Sequence, residues 1–190
     1  GLGQVSASLN YLSYLAARTR TIRLGTGVIV LPWHDPVLLA EQAATVDLLS
    51  DGRLDFGIGK GYRDIEFKGF RIPKEEATAR YEETVEILKQ CWTSDERFSI
   101  KTEHWQYDDI VVEPEPTQKP YPPLWVGAGR PQSIAQAATD GYNVLLDQFG
   151  SIALSEERIG HFRNACEEAG RPFEPMEMAL NRCVIVTESD

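Results

Sequence analysis

Residues 21 to 31, T-I-R-L-G-T-G-V-I-V-L, end in a continuous β-branched apolar run with no polar alternation. A strand of this kind is buried on both faces, as in a parallel sheet covered by helices. The residues that follow agree. Asp35-Pro36 is a helix start, with an acid at the N-cap and Pro at the first helical position. Leu39, Ala43, Val46 and Leu49/Ser50 form the buried stripe, and Gly52 ends the helix at C′. Arg53 then enters a second strand after almost no loop. Strand, helix and strand in this order make a βαβ unit.

The second strand is R-L-D-F-G-I-G-K-G, residues 53 to 61. Gly57, Gly59 and Gly61 remove Cβ atoms where something must approach the backbone closely, or where φ must be positive. Lys60 brings one cation to that bare backbone. A glycine-rich strand end with one Lys suits a phosphate or another anion. A tight turn with a solvated Lys accounts for the same residues.

The alternation continues along the chain. Val5 to Ala17 has Val5, Leu9, Leu12 and Leu15/Ala16 at helical spacing, and Glu75 to Trp92 reads as a long helix. Residues 93–122 break the rhythm. Phe98, Trp105, Tyr107 and Val111-Val112 suggest a hairpin, followed by the extended run E-P-E-P-T-Q-K-P-Y-P-P. Leu124 to Ala128 is the next strand, Pro131 to Asp140 a helix and Tyr142 to Asp147 a strand. Ser155 caps a helix to Ala169, and Met178 to Val186 is the last strand. Five strands thus alternate with helices in an α/β fold, either an open doubly wound sheet or part of a (β/α)8 barrel. A whole barrel needs about 250 residues. The chain opens within a helix and stops at T-E-S-D, so residues 1–190 read as a single domain that is a piece of a barrel. Polar or glycine-rich residues follow successive strands: Trp33-His34, Lys60, Gly129-Arg130 and Asp147-Gln148. Barrel enzymes build their sites at those strand ends.

Composition narrows the function classes. A net charge of −10 with no basic stripe argues against nucleic acid. No apolar run approaches the ~20 residues of a membrane span. Cys91, Cys166 and Cys183 are far apart, with no metal spacing, as expected of reduced thiols in a cytoplasmic protein. His34, His104 and His161 do not cluster, and no metal site is expected.

Three stretches carry a resemblance. They are G-T-G-V-I-V-L-P-W-H-D-P, then L-A-E-Q-A-A-T-V-D-L-L-S-D-G-R-L-D-F-G-I-G-K-G-Y, then P-P-L-W-V-G-A-G. Together they resemble the bacterial luciferase-like flavin-dependent monooxygenases, from about Leu12 to Asp190. The resemblance implies a (β/α)8 TIM barrel of which this chain supplies strands three to seven. It implies reduced FMN as cofactor, O2 and a small organic substrate, and a separate flavin reductase. It places a non-prolyl cis peptide at Gly27-Val28, against the flavin ring. It places phosphate contacts at Lys60, Gly129, Arg130 and Ser133. Luciferase has Arg where this chain has Lys60, and a reactive Cys where it has Gly59, so no thiol chemistry is implied. The family's catalytic His follows the second strand, outside this chain, so the catalytic residue is unknown and His34 is a weak candidate. Tyr62, Arg63, Glu66, Asp147 and Gln148 are further residues near the barrel mouth. A partial barrel leaves residues 21–31 and 178–186 as open edges, which predicts a homodimer or heterodimer.

Three alternatives stand beside this reading. One is hydride transfer with an 8-hydroxy-5-deazaflavin. Another is a non-catalytic flavin-binding relative. The third is a Rossmann dinucleotide site, from which G-I-G-K-G-Y departs at the last glycine.

Overall fold

The computed structural model describes residues 6–182 and Val186, in two compact units that divide between Pro123 and Leu124. Val5, Cys183 and most of the stretch read as strand after Arg182 lie outside the described residues.

The first unit begins with α1 (Ser8–Arg18), which buries Leu9, Leu12 and Ala16. The apolar run then forms two short strands, β1 (Leu24–Gly25) and β2 (Ile29–Val30), followed by a 3-10 turn over Leu31–Trp33. Both pair in parallel with β3 (Leu54–Gly59). The sequence predicts one strand here. The break has a register cause. Gly25 pairs with Asp55 and Ile29 with Ile58, so the first segment holds one more residue than its partner. Thr26 repairs the gap with its side chain. Its Oγ1 donates to the Gly57 carbonyl and accepts from the Gly57 N–H, both at 2.8 Å. A buried hydroxyl thereby replaces two missing rungs of the ladder.

Between the strands, α2 (Pro36–Leu49) starts as predicted, with Asp35 Oδ1 accepting the Leu38 N–H at 2.9 Å. Its end differs by one position. Ser50 is the C-cap, and both Asp51 and Gly52 take positive φ. Asp47, fully buried in α2, accepts from the backbone and side chain of Gln118 and so fastens the proline-rich run to the helix. After β3 comes a short helix, α3 (Asp64–Phe70), then α4 (Ala77–Thr93). Trp92 of α4 donates to the Ala40 carbonyl of α2 and packs edge-on against Phe56 of β3. Burial pushes the Cys91 thiol of α4 up to about 12, so it stays protonated within the core. The hairpin read from the sequence is β4 (Phe98–Lys101) with β5 (Gln106–Ile110). Tyr107 ties it to Asp35 at the start of α2, and His104 ties it to α4.

The second unit repeats the strand–helix rhythm. Strands β6 (Leu124–Gly127), β7 (Asn143–Leu146) and β8 (Met178–Leu180) pair in parallel. Helix α5 (Pro131–Thr139) joins the first two, and α6 (Ile152–Glu168) joins the last two. Ile134, Ala138, Val144, Phe162 and Cys166 are fully buried between sheet and helices. The cap of α6 is Ser151, whose side chain accepts the Leu154 N–H, and not Ser155 as the sequence suggests. Ser155 is buried one turn inside, where it accepts from Arg182. No helix among the described residues is long and apolar enough to cross a membrane.

Candidate functional site

The three glycines of the second predicted strand are explained by the chain itself. A Cβ on Gly57 would lie 1.7 Å from the Thr26 carbonyl oxygen. One on Gly59 would lie 2.7 Å from Val28 Cγ2, and one on Gly61 2.7 Å from Val30 Cγ1. Alternate residues of the preceding segment therefore fill the space left by alternate glycines. Gly61 also has φ of 80°. The close approach expected from the sequence is real, and the approaching group is the neighbouring strand segment. The peptide between Gly27 and Val28 is cis, the geometry that the resemblance implies.

Lys60 is exposed at the end of β3. Its Nζ donates to the Thr78 hydroxyl at 3.1 Å, in the first turn of α4. Among the described residues its ammonium has no carboxylate partner. A cation beside a hydroxyl, at the carboxyl end of a parallel strand, is suited to an anion. Tyr62 is well exposed just beyond, with the Arg63 guanidinium over its ring.

His34 follows the 3-10 turn and is half-buried, its N–H donating to the Leu31 carbonyl. Burial lowers its pKa, which holds the ring neutral, the form that accepts a proton. The sign of the stability effect follows. The unfolded ring takes up a proton below about 6.5, and the folded ring resists it, so stability falls as pH drops through that value. We expect His34→Gln to flatten the loss of stability between about pH 7 and 5, read as urea midpoints at each pH. An unchanged slope would show that His34 titrates alike in both states.

The hairpin turn gathers residues that no sequence spacing marks. Ligand atoms of Glu83, Glu103 and His104 lie within 4.8 Å of one another. Glu83 is desolvated, yet hydrogen bonds from Thr102 and from the side chain and backbone of His104 hold its carboxyl below the usual range. The His104 Nε2 faces Glu76 at 3.4 Å. These contacts anchor the hairpin to α4.

In the second unit, Gly129 and Arg130 lead into α5. Arg130 is its N-cap residue, with extended backbone, and no side chain caps the helix. The first N–H groups of a helix have no partner within it and form the positive end of its dipole. Pro131 contributes none, and Ser133 is exposed on the first turn. Gly129 is hemmed in by side chains. A Cβ there would lie 3.0 Å from Arg158 Nη2 and 3.3 Å from Asp147 Oδ2. Asp147 follows β7 and accepts from the Phe149 and Gly150 N–H groups and from Arg158. The Phe149 bond first, then Arg158 and Gly150, hold its carboxyl below the usual range. Gln148 follows on the same loop. An uncapped helix start with a glycine before it and a hydroxyl one turn on fits a phosphate. Sequence reasoning missed Arg158. It lies 11 residues after Asp147 within a charged helix, and nothing local distinguishes it.

The profile of the family described as "Luciferase-like monooxygenase" matches residues 2–190. The chain is 36% identical over 183 residues to the "Flavin-dependent trigonelline monooxygenase, oxygenase component" of Acinetobacter baylyi, covering 93% of this chain and 49% of that protein. It is 33% identical over 174 residues to an "F420-dependent glucose-6-phosphate dehydrogenase" of Kineococcus radiotolerans, covering 89% and 50%. The crystal structure of monooxygenase RslO1 from Streptomyces bottropensis superposes with a TM-score of 0.82 at 29% identity, covering 91% of this chain and 53% of that one. The chain thus spans about half the length of the curated relatives it matches. With this sequence match and this α/β fold, the chain belongs to the luciferase-like monooxygenase family.

Proposed function

We propose that the protein carrying this chain is a flavin-dependent monooxygenase that binds reduced FMN by its phosphate. The observation that carries the phosphate assignment is the uncapped start of α5, preceded by Gly129 and followed by exposed Ser133. Lys60, with Thr78 beside it, is a residue to which the resemblance assigns a phosphate contact. Gly27-Val28 is the segment that the resemblance places against the flavin ring. When bound, reduced flavin supplies the activation of O2 and the transfer of one oxygen atom to a small organic substrate. The chain's own part is to bind, to orient and to exclude water. The Acinetobacter relative is an oxygenase component, which supports a separate reductase as the source of reduced flavin.

Deazaflavin-dependent hydride transfer is the second reading, and the Kineococcus relative favours it. Titration of the intact protein with FMN, riboflavin and an 8-hydroxy-5-deazaflavin separates the two. We expect FMN to bind more tightly than riboflavin and than the deazaflavin. Preference for the deazaflavin would overturn the monooxygenase reading. Equal affinity for FMN and riboflavin would remove the phosphate site.

A further inference from the structure

We propose that Arg158 is a second side-chain cation for the phosphate, held in place by Asp147 and presented to the bound group beside Gly129. The proposal rests on the reading of Gly129, Arg130 and Ser133 as a phosphate site. Arg158 enters from α6, a different element from the helix start it serves. Its side chain is 13% exposed. One nitrogen, Nη1, donates to Asp147 Oδ2 at 3.0 Å. The other two are uncommitted among the described residues. Nε is buried with no hydrogen-bond partner, and Nη2 is the atom nearest to where a Gly129 Cβ would be.

A buried guanidinium nitrogen without a partner is costly, and proteins rarely leave one so. Arg presents a planar fork that matches phosphate geometry at two nitrogens. Here Nη1 fixes the group, Nε is closed off from solvent, and Nη2, beside Gly129, is the nitrogen left for an anion. Asp147 suits the positioning part. Its Oδ1 is fastened by the Phe149 and Gly150 N–H groups, so Oδ2 is a fixed post for Arg158. Arg182 braces the same loop from its far side, donating to the Gly150 carbonyl at 2.9 Å and to Ser155 Oγ at 2.8 Å. In a chain of net charge −10, Arg130, Arg158 and Arg182 bring three guanidinium groups to the loops following β6, β7 and β8 of this unit.

The test is a pair of affinities, FMN and riboflavin, measured by flavin fluorescence on the intact protein and its variants. Arg158→Gln keeps a donor for Asp147 and removes the charge. We expect it to weaken FMN roughly 10-fold or more and to leave riboflavin within about twofold. Arg158→Lys should recover part of the loss, because charge returns without the fork. An FMN affinity unchanged in Arg158→Gln, with wild type still preferring FMN over riboflavin, would overturn the role of Arg158 alone. Equal loss of both ligands would make Arg158 a structural tie of the loop and overturn it too. A wild type that binds FMN and riboflavin equally would overturn the underlying phosphate site and Arg158 with it. If Arg158→Gln fails to fold, Arg158→Lys decides. FMN affinity equal to wild type would then count against the fork.

Discussion

Gly57→Ala should strip the protein of a large part of its folding stability. The new methyl would lie 1.7 Å from a backbone carbonyl oxygen, that of Thr26. A flexible side chain swings aside from such a clash, and a backbone oxygen in a paired strand does not. Relief requires β3 to part from the Thr26 segment, and parting breaks both bonds between the Thr26 hydroxyl and Gly57. Overpacking alone costs about 1–3 kcal/mol, and two buried hydrogen bonds add about 1 kcal/mol each. The total of about 3–5 kcal/mol is a large share of an ordinary domain's stability of about 5–15 kcal/mol. The measurement is soluble yield and a thermal melt. Gly160→Ala serves as its control, because nothing lies within 4 Å of a Cβ there and α6 gains a better helix former. A Gly57→Ala protein that melted within a few degrees of wild type would show that the strands slide apart freely.

Lys60→Ala should weaken FMN binding by roughly 10- to 150-fold in the intact protein. That range is one charge-assisted hydrogen bond of about 1.5–3 kcal/mol, at 1.4 kcal/mol per decade. Riboflavin should lose almost nothing, since it has no phosphate. Lys60→Arg should keep most of the affinity. Thr78→Val should cost less than Lys60→Ala, because the Lys60 ammonium loses only a neutral partner. FMN affinity within about twofold in Lys60→Ala would make Lys60 a solvated strand-end residue.

Much of the fold was legible because the parallel βαβ rhythm is written in unbroken apolar runs and helix starts. Asp35-Pro36 announced α2, and the proline-rich run announced the excursion before β6. What stayed hidden depended on contacts between distant residues. The break within residues 21–31 comes from one residue of register against β3, which no local pattern records. Helix α3 was not read because D-I-E-F-K-G-F is short and carries Gly69. Ser151 and Ser155 are equally good caps by type, and burial of Ser155 against Arg182 decides between them. The site divides in the same way. Lys60 stood out as a polar residue after a strand, and Ser133 was named through the resemblance alone. Arg158 was not visible, because its contacts with Gly129 and Asp147 join residues far apart in sequence.

The fit of Thr26, Val28 and Val30 against Gly57, Gly59 and Gly61 makes these six positions heritable as couples. At two of the couples the crowding atom is a valine methyl, Val28 against Gly59 and Val30 against Gly61. Gly61 is further constrained by its positive φ. The Val28–Gly59 couple is therefore exchangeable. A methyl gained at position 59 is permitted once position 28 has given one up, so position 59 can change only after position 28. The Thr26–Gly57 couple has no such freedom, because the atom in the way belongs to the main chain. Sequence divergence in this part of the sheet should thus pass through position 59 in step with position 28, and stop at position 57.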